Sequence, residues 1–370
     1  MELHYGSPEE AGLDKIRLDK INEFMKKYVN DAFPGAVLLI ARKGVIAFHE
    51  AYGNSQTIPI KRVMTKDTIF DIASLTKPLA TSIIIMRLIE DGLINLRQKV
   101  STIFDEIEKD ETKREITLWH LLTHTSGLPA WEPFYKDFKN KKEIIKAALN
   151  ASPTNKPGEK YMYSDLGYII LTGIAEEISG KTFDKLFEEY VASPIHLKDT
   201  MFNPPDHLKF RIAATELCEW RGKVLVGSVH DENAYAMGGV SGHAGLFSTA
   251  LEIAKIAQTI LNGGIYGSKE ILSKPSVQTM IKNHVKHLGA GYGLGWMIND
   301  TPNGTSAGDL FSEKSFGHTG FTGTSLWVDP EKELIVVLLT NRVHPTRQNT
   351  KLIELRPKIH NMIASALTKF

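Results

Sequence analysis

The sequence predicts an α+β fold: an antiparallel sheet built from both ends of the chain, flanked by helices, with an all-α domain inserted between its halves. Three observations carry this. "GAVLLIARKGVIAFHEAYG", from Gly35, is two apolar strand-like runs around Arg42-Lys43-Gly44, with glycine supplying the turn. "SLWVDPEKELIVVLLTN", from Ser325, is a second such pair around Asp329-Pro330-Glu331-Lys332. Between them the chain turns largely helical. Hairpins at both ends with helices between place a sheet domain at residues 1–75 and 205–370 and the helical insertion at 76–204.

Taken in order, Leu18, Ile21, Met25 and Tyr28 recur at helical spacing from Asp14 to Val29 among lysines and acids, an amphipathic helix. The first hairpin follows. "PLATSIIIMRLIED", from Pro78 to Asp91, is apolar almost all round and predicts a buried helix stopped by Gly92. "ITLWHLLTH", "KEIIKAALN", "DLGYIILTGIAEEISG" and "TFDKLFEEYVASPI" are the helical segments of the middle. After the second hairpin, a helix from Lys351 to Leu367 closes the chain.

At 370 residues the chain has room for two domains or one with a large insertion, and 42% apolar residues make a sizeable core feasible. Lys and Arg total 44 against 43 for Asp and Glu, a balance without the electrostatic footprint of a nucleic-acid or anionic-membrane binder. Cys218 is the only cysteine, which excludes an internal disulfide and CxxC-type metal or redox sites; it reads as a small buried apolar residue or an incidental thiol. The N-terminal stretch lacks the apolar region of a secretory leader, and no run approaches the roughly 18 apolar residues of a membrane span. The chain as written is expected to be cytoplasmic, or exported if a leader has been removed. Oligomeric state is not readable.

Chemistry enters at "DIASLTKPLATSII", from Asp71. A serine hydroxyl is a poor nucleophile until a nearby base takes its proton. Residues three apart on a helix share a face, so Lys77 reaches Ser74 from the next turn. Helix N-terminal N–H groups favour developing negative charge and disfavour a charged lysine. No other serine in the chain has a lysine three positions on. SxxK alone is a weak signal, and its partners decide. "YMYSDLGY" supplies Tyr163-Ser164-Asp165, and "FGHTGFTGTSLWVDP" places His318-Thr319-Gly320 before a strand.

With these three motifs in this order, the chain resembles the serine β-lactamase and penicillin-binding-protein superfamily, in particular its class C β-lactamase and family VIII carboxylesterase branch. "LLTHTSGLP", "VHDENAYAMGGVSGHAGLFSTA" and "LLTNRVHP" are similar as well, so the likeness spans nearly the whole chain. The resemblance implies a β-lactamase/transpeptidase-like fold and an acyl-enzyme on Ser74. Lys77 and the Tyr163 phenol share the general-base work, a cation beside the phenol making it a better base. The backbone N–H groups of Ser74 and Phe321 form the oxyanion hole. Asp165, His318, Thr319 and Gly320 contact substrate. No cofactor or metal is implied.

Two residues depart from the family pattern. Asp165 stands where asparagine is frequent, and its carboxylate is expected to raise the Lys77 pKa, opposing its use as a base. His318 replaces a lysine that offers a permanent cation to substrate carboxylates, and histidine is mostly neutral at pH 7. This favours esters of small acyl groups, then D-amino-acid amides or peptides, over β-lactams. A β-lactamase or DD-peptidase is the alternative, and a catalytically silent scaffold on the same fold is the rival from another class. The expected partner is thus a small ester, amide or β-lactam, with no nucleic acid and no integral membrane segment.

Blander readings attach to other residues. His120 and His124 have zinc-compatible spacing but lack the HExxH glutamate, and metal binding is disfavoured. His230, Asp231, Glu232 and Asn233 read as a loop network rather than catalysts, and His243 is similar. Tyr161 reads as packing and Arg342 as a salt-bridge residue. His318 is as much a turn residue as a substrate contact. GxSxG and GxGxxG are absent, which argues against an α/β-hydrolase elbow and a dinucleotide site.

Overall fold

In a computed structural model of the chain, residues 1–107 and 110–368 are described. The chain opens with a short strand, β1 (His4–Tyr5), and helix α1 (Lys15–Lys27). Asp14 caps α1 by accepting the Arg17 N–H at 3.0 Å, and Leu18, Ile21 and Met25 form its buried face. β2 (Gly35–Arg42) and β3 (Val45–Gln56) close across Lys43-Gly44, whose φ values of 52° and 81° meet the demand of a two-residue hairpin turn. Two short strands follow, β4 (Arg62–Val63) and β5 (Phe70–Asp71).

The helix predicted from Pro78 begins differently. Ala73–Leu75 forms a tight 3-10 turn, Lys77–Ser82 a widened π turn, and only Ile83–Glu90 is regular α-helix, α2. The Ser82 hydroxyl donates to the Lys77 carbonyl at 3.0 Å, and such a side chain inserted in the ladder is a recognised cause of widening. Helices α3 (Leu118–Leu122), α4 (Lys141–Asn150), α5 (Asp165–Ser179) and α6 (Phe183–Phe187) follow, then β6 (Met201–Phe202), α7 (Glu232–Ala236), β7 (Leu246–Ser248), α8 (Ala250–Leu261) and α9 (Lys274–Met280). The last strands are β8 (Met297–Ile298), β9 (Phe316–Thr319), β10 (Ser325–Asp329) and β11 (Leu334–Thr340), before α10 (Lys351–Ala364).

The main sheet runs β1-β3-β2-β11-β10-β9-β8, with β4 on β3, so both chain ends meet at the β2–β11 pair. One part of the expectation is corrected: β1 joins β3 in parallel, and the sheet is mixed at that edge. β2 reads as an unbroken apolar run because both sheet faces are covered. Val37, Leu39 and Ala41 share a core with α8, whereas Ala36, Leu38 and Ile40 pack with α1 and α10. A second, three-stranded sheet, β5-β7-β6, holds the strand that leads into Ser74. Among the described residues no helix is long and apolar enough to cross a membrane.

Candidate active site

Ser74 sits on a strained turn. Ala73, directly before it, has φ 48°, a left-handed conformation that costs a residue with a Cβ roughly 1–3 kcal/mol and persists only where neighbours impose it. Asp71 Oδ1 accepts the Ala73 N–H at 2.9 Å, and Oδ2 accepts the His230 N–H at 2.6 Å. Thr322 donates to the Asp71 carbonyl at 2.7 Å and Thr324 to the Ile72 carbonyl at 3.0 Å. Asp71 therefore pins the nucleophile turn to the 230 loop and to the segment after β9. Nothing in its immediate sequence announces this role.

Lys77 is completely buried. Its Nζ lies 3.0 Å from Ser74 Oγ, 3.0 Å from the His243 carbonyl oxygen and 2.7 Å from Asp165 Oδ1. The His243 carbonyl only accepts, so a neutral amine donates to it and has its lone pair free to face Ser74. Burial lowers the Lys77 pKa, and the Asp165 ion pair opposes this without overturning it. The expected obstruction by Asp165 is thus present but outweighed.

Tyr163 lines the cleft together with Ser74, and Lys77 Nζ lies 4.8 Å from its ring centre. Burial, then the Asp165 charge, push the phenol well above its ordinary range, and the neighbouring Ser74 hydroxyl offsets only part of this. That corrects the expectation of a cation-activated phenol. The arrangement suits Lys77 as the resting base and Tyr163 as a proton carrier. Opposite them, the Ser74 and Phe321 N–H groups have no acceptor among the described residues. The half-exposed Phe321 ring is stacked on His230 with centroids 5.6 Å apart.

The third motif lies differently from expectation. His318 is 2% exposed, with Nδ1 2.8 Å from the Thr319 carbonyl and Nε2 2.9 Å from the Tyr292 hydroxyl. With both nitrogens engaged, it does not face the cleft; burial first, and Lys77 whenever it is protonated, pull its pKa down to about 3. Thr319 and Gly320 do not line the cleft either. Gly320 is a packing residue: a Cβ there would lie 2.6 Å from the Ile72 carbonyl oxygen. Asp165 does line the cleft, held by Lys77.

The cleft in front of Ser74 has a volume of about 460 Å³. Its walls include Trp131, Asp231, Glu232 and Arg347, none of which sequence reasoning had placed in the site. Arg347 is already committed, bonding Glu216 at 2.9 Å and Glu232 at 2.7 Å. Burial pushes Asp231 up, yet the charge and hydrogen bond of His243, 2.7 Å away, and the Ala234 N–H outweigh it and hold the carboxyl well below the usual range. The 230 segment is therefore a hydrogen-bonded loop network, as read from the sequence, and also a cleft wall.

His120 completes a capping box with Thr117, while His124 lies beyond the end of α3. Tyr161 packs against Tyr292 at 5.6 Å between ring centres. Arg342 is not the salt-bridge residue expected: it is buried and donates to the Arg347 and Asn349 carbonyls at 3.2 and 2.8 Å.

The chain is similar to known proteins over most of its length. A protein of Escherichia coli O157:H7 that carries a D-alanyl-D-alanine carboxypeptidase name is 34% identical over 92% of this chain and 86% of its own. A similarly named protein of Salmonella agona is 32% identical over 95% and 88%. Among solved structures, EstCE1, described as a hydrolase with promiscuous acyltransferase activity, superposes with a TM-score of 0.75 at 23% identity, over 96% of this chain and 99% of its own. The octameric penicillin-binding protein homologue from Pyrococcus abyssi has the same score and identity, over 95% and 77%. At such identities the structural likenesses speak for the fold. The family described as Beta-lactamase matches residues 19–359, and the chain belongs to it as a serine hydrolase.

Proposed function

We propose that this hydrolase acylates Ser74 with small esters and amides, D-amino-acid amides among them, that carry no carboxylate for the enzyme to grip. The observation that carries this is the pairing of a buried, base-competent Lys77, 3.0 Å from Ser74 Oγ, with a cleft whose lining arginine is already bridged by two carboxylates. In acylation Ser74 Oγ bonds the carbonyl carbon and its proton passes to Lys77. The carbonyl π pair moves onto oxygen, facing the Ser74 and Phe321 N–H groups. Collapse breaks the bond to the leaving alkoxide or amine, which takes the Tyr163 proton while Lys77 returns one to Tyr163. Water repeats the sequence to release the acid.

A second reading, a D-alanyl-D-alanine carboxypeptidase, is favoured by the names of the relatives. It requires a cation for the substrate's terminal carboxylate, and Arg347 supplies one only by leaving Glu216 or Glu232. A panel of p-nitrophenyl butyrate, D-alanine p-nitroanilide, a D-alanyl-D-alanine peptide and nitrocefin separates the readings. Highest kcat/KM on the ester or the amide is expected; a preference for the peptide or nitrocefin rejects the proposal.

A further inference from the structure

Behind the cleft, a run of hydrogen bonds joins the segment carrying Tyr163 to the strand leading to Phe321, and its direction is fixed by chemistry. The Ser164 N–H points at His124 Nδ1, 3.0 Å away, and a backbone N–H only donates, so Nδ1 is a lone pair and His124 carries its hydrogen on Nε2. That Nε2–H faces the Tyr292 hydroxyl oxygen at 3.0 Å. The tyrosine hydrogen is then left for His318 Nε2 at 2.9 Å. At the far end His318 Nδ1 faces the Thr319 carbonyl at 2.8 Å, which only accepts, so Nδ1 carries the hydrogen. Backbone groups terminate both ends, and the chain has one polarity.

All three side chains are buried: His124 is 1%, Tyr292 0% and His318 2% exposed. Protonating His124 on Nδ1 would set N–H against N–H; protonating His318 on Nε2 would orphan the phenolic hydrogen. The groups facing the chain reinforce neutrality. Burial disfavours positive charge on both imidazoles, as does Lys77 whenever it is protonated, and Tyr161, Tyr163 and Tyr168 pack around His124. Asp165 acts on Tyr292 from the side of the cleft.

We infer that Tyr292 is a positioning residue for acylation, its hydroxyl the joint that sets the spacing between the Tyr163 segment and the strand that delivers the Phe321 N–H. Tyr292 does not line the cleft, and its effect passes through other residues. The inference rests on the Ser74 reading for its kinetic part and on geometry alone for its structural part. Tyr292→Phe removes the acceptor of His124 and the donor of His318 together, while keeping the ring. A misplacement of order 1 Å between reacting groups costs about 100-fold.

Two measurements test this. In p-nitrophenyl butyrate hydrolysis, Tyr292→Phe is expected to lower kcat about 100-fold with KM within about threefold, because the cleft wall is untouched. Long-range ¹H–¹⁵N spectra of the histidine-labelled wild-type protein, assigned with His124→Gln and His318→Gln, are expected to give His124 as the Nε2–H tautomer and His318 as the Nδ1–H tautomer, unchanged from pH 5 to 8. A kcat within twofold of wild type overturns the positioning role, as does the opposite tautomer or titration of either ring in that range. The spectra decide even where Tyr292→Phe fails to fold. A wild-type protein that is not acylated at Ser74 but has these tautomers refutes the Ser74 reading and leaves the chain standing.

Discussion

Gly320→Ala tests how tightly the strand behind the oxyanion hole is pressed on the nucleophile turn. An added Cβ would lie 2.1 Å from Thr324 Oγ1, 2.6 Å from the Ile72 carbonyl oxygen and 3.3 Å from Ala73 Cβ. The threonine hydroxyl can rotate only by giving up its bond to the Ile72 carbonyl. The carbonyl itself is backbone, two residues before Ser74. Restoring an ordinary contact of 3.4 Å from 2.6 Å moves the two segments apart by about 0.8 Å. Overpacking of this kind typically costs about 1–3 kcal/mol of stability. The same displacement carries the Phe321 N–H away from the position of the oxyanion, and a lost oxyanion donor is worth about 100- to 1,000-fold in rate. The expected variant is folded, melts earlier, and has kcat on p-nitrophenyl butyrate reduced by about 100-fold or more with a smaller change in KM. Urea unfolding gives the stability cost and steady-state kinetics the rate. A variant with wild-type kcat and reduced stability would refute the claim that this contact sets the hole.

Other substitutions probe the remaining joints. Asp165→Asn removes the charge that holds the Lys77 pKa up, so Lys77 stays neutral to lower pH; the acid limb of kcat/KM is expected to move down, and a limb that stays or rises contradicts the assignment of Lys77 as base. Tyr163→Phe should slow acylation and deacylation together, each by about 100- to 10,000-fold in stopped-flow traces, because one phenol serves both proton transfers. Asp71→Asn turns an amide hydrogen towards the Ala73 or the His230 N–H; a loss of about 1–3 kcal/mol in urea unfolding is expected, and an unchanged midpoint speaks against Asp71 as a clamp.

The parts of this site that were legible in the sequence are those set by local spacing. Ser74 and Lys77 are one turn apart whatever surrounds them, and the Lys43-Gly44 turn declares its hairpin. Residues that depend on long-range placement were opaque. Tyr292 lies in "GAGYGLGW", which has no motif register, and meets His124 across 168 positions of chain. Asp71 opens "DIASLTKPLATSII", but its partners come from the 230 loop and from Thr322. His318 was read from its charge, whereas its burial and its bond to Tyr292 decide what it does. The π turn after Lys77 was hidden for a related reason: the composition of "KPLATS" is that of an ordinary helix start, and the bond of Ser82 to a carbonyl five residues back has no sequence signature.

Behind each of these expectations stands the claim that Ser74 becomes covalently acylated. Intact-protein mass spectrometry after exposure to a fluorophosphonate, with peptide mapping of the adduct, tests it most directly. One phosphonyl group on Ser74 of the wild-type protein and none on Ser74→Ala is the predicted result; a wild-type protein that stays unmodified, or one modified equally in the alanine variant, would contradict it.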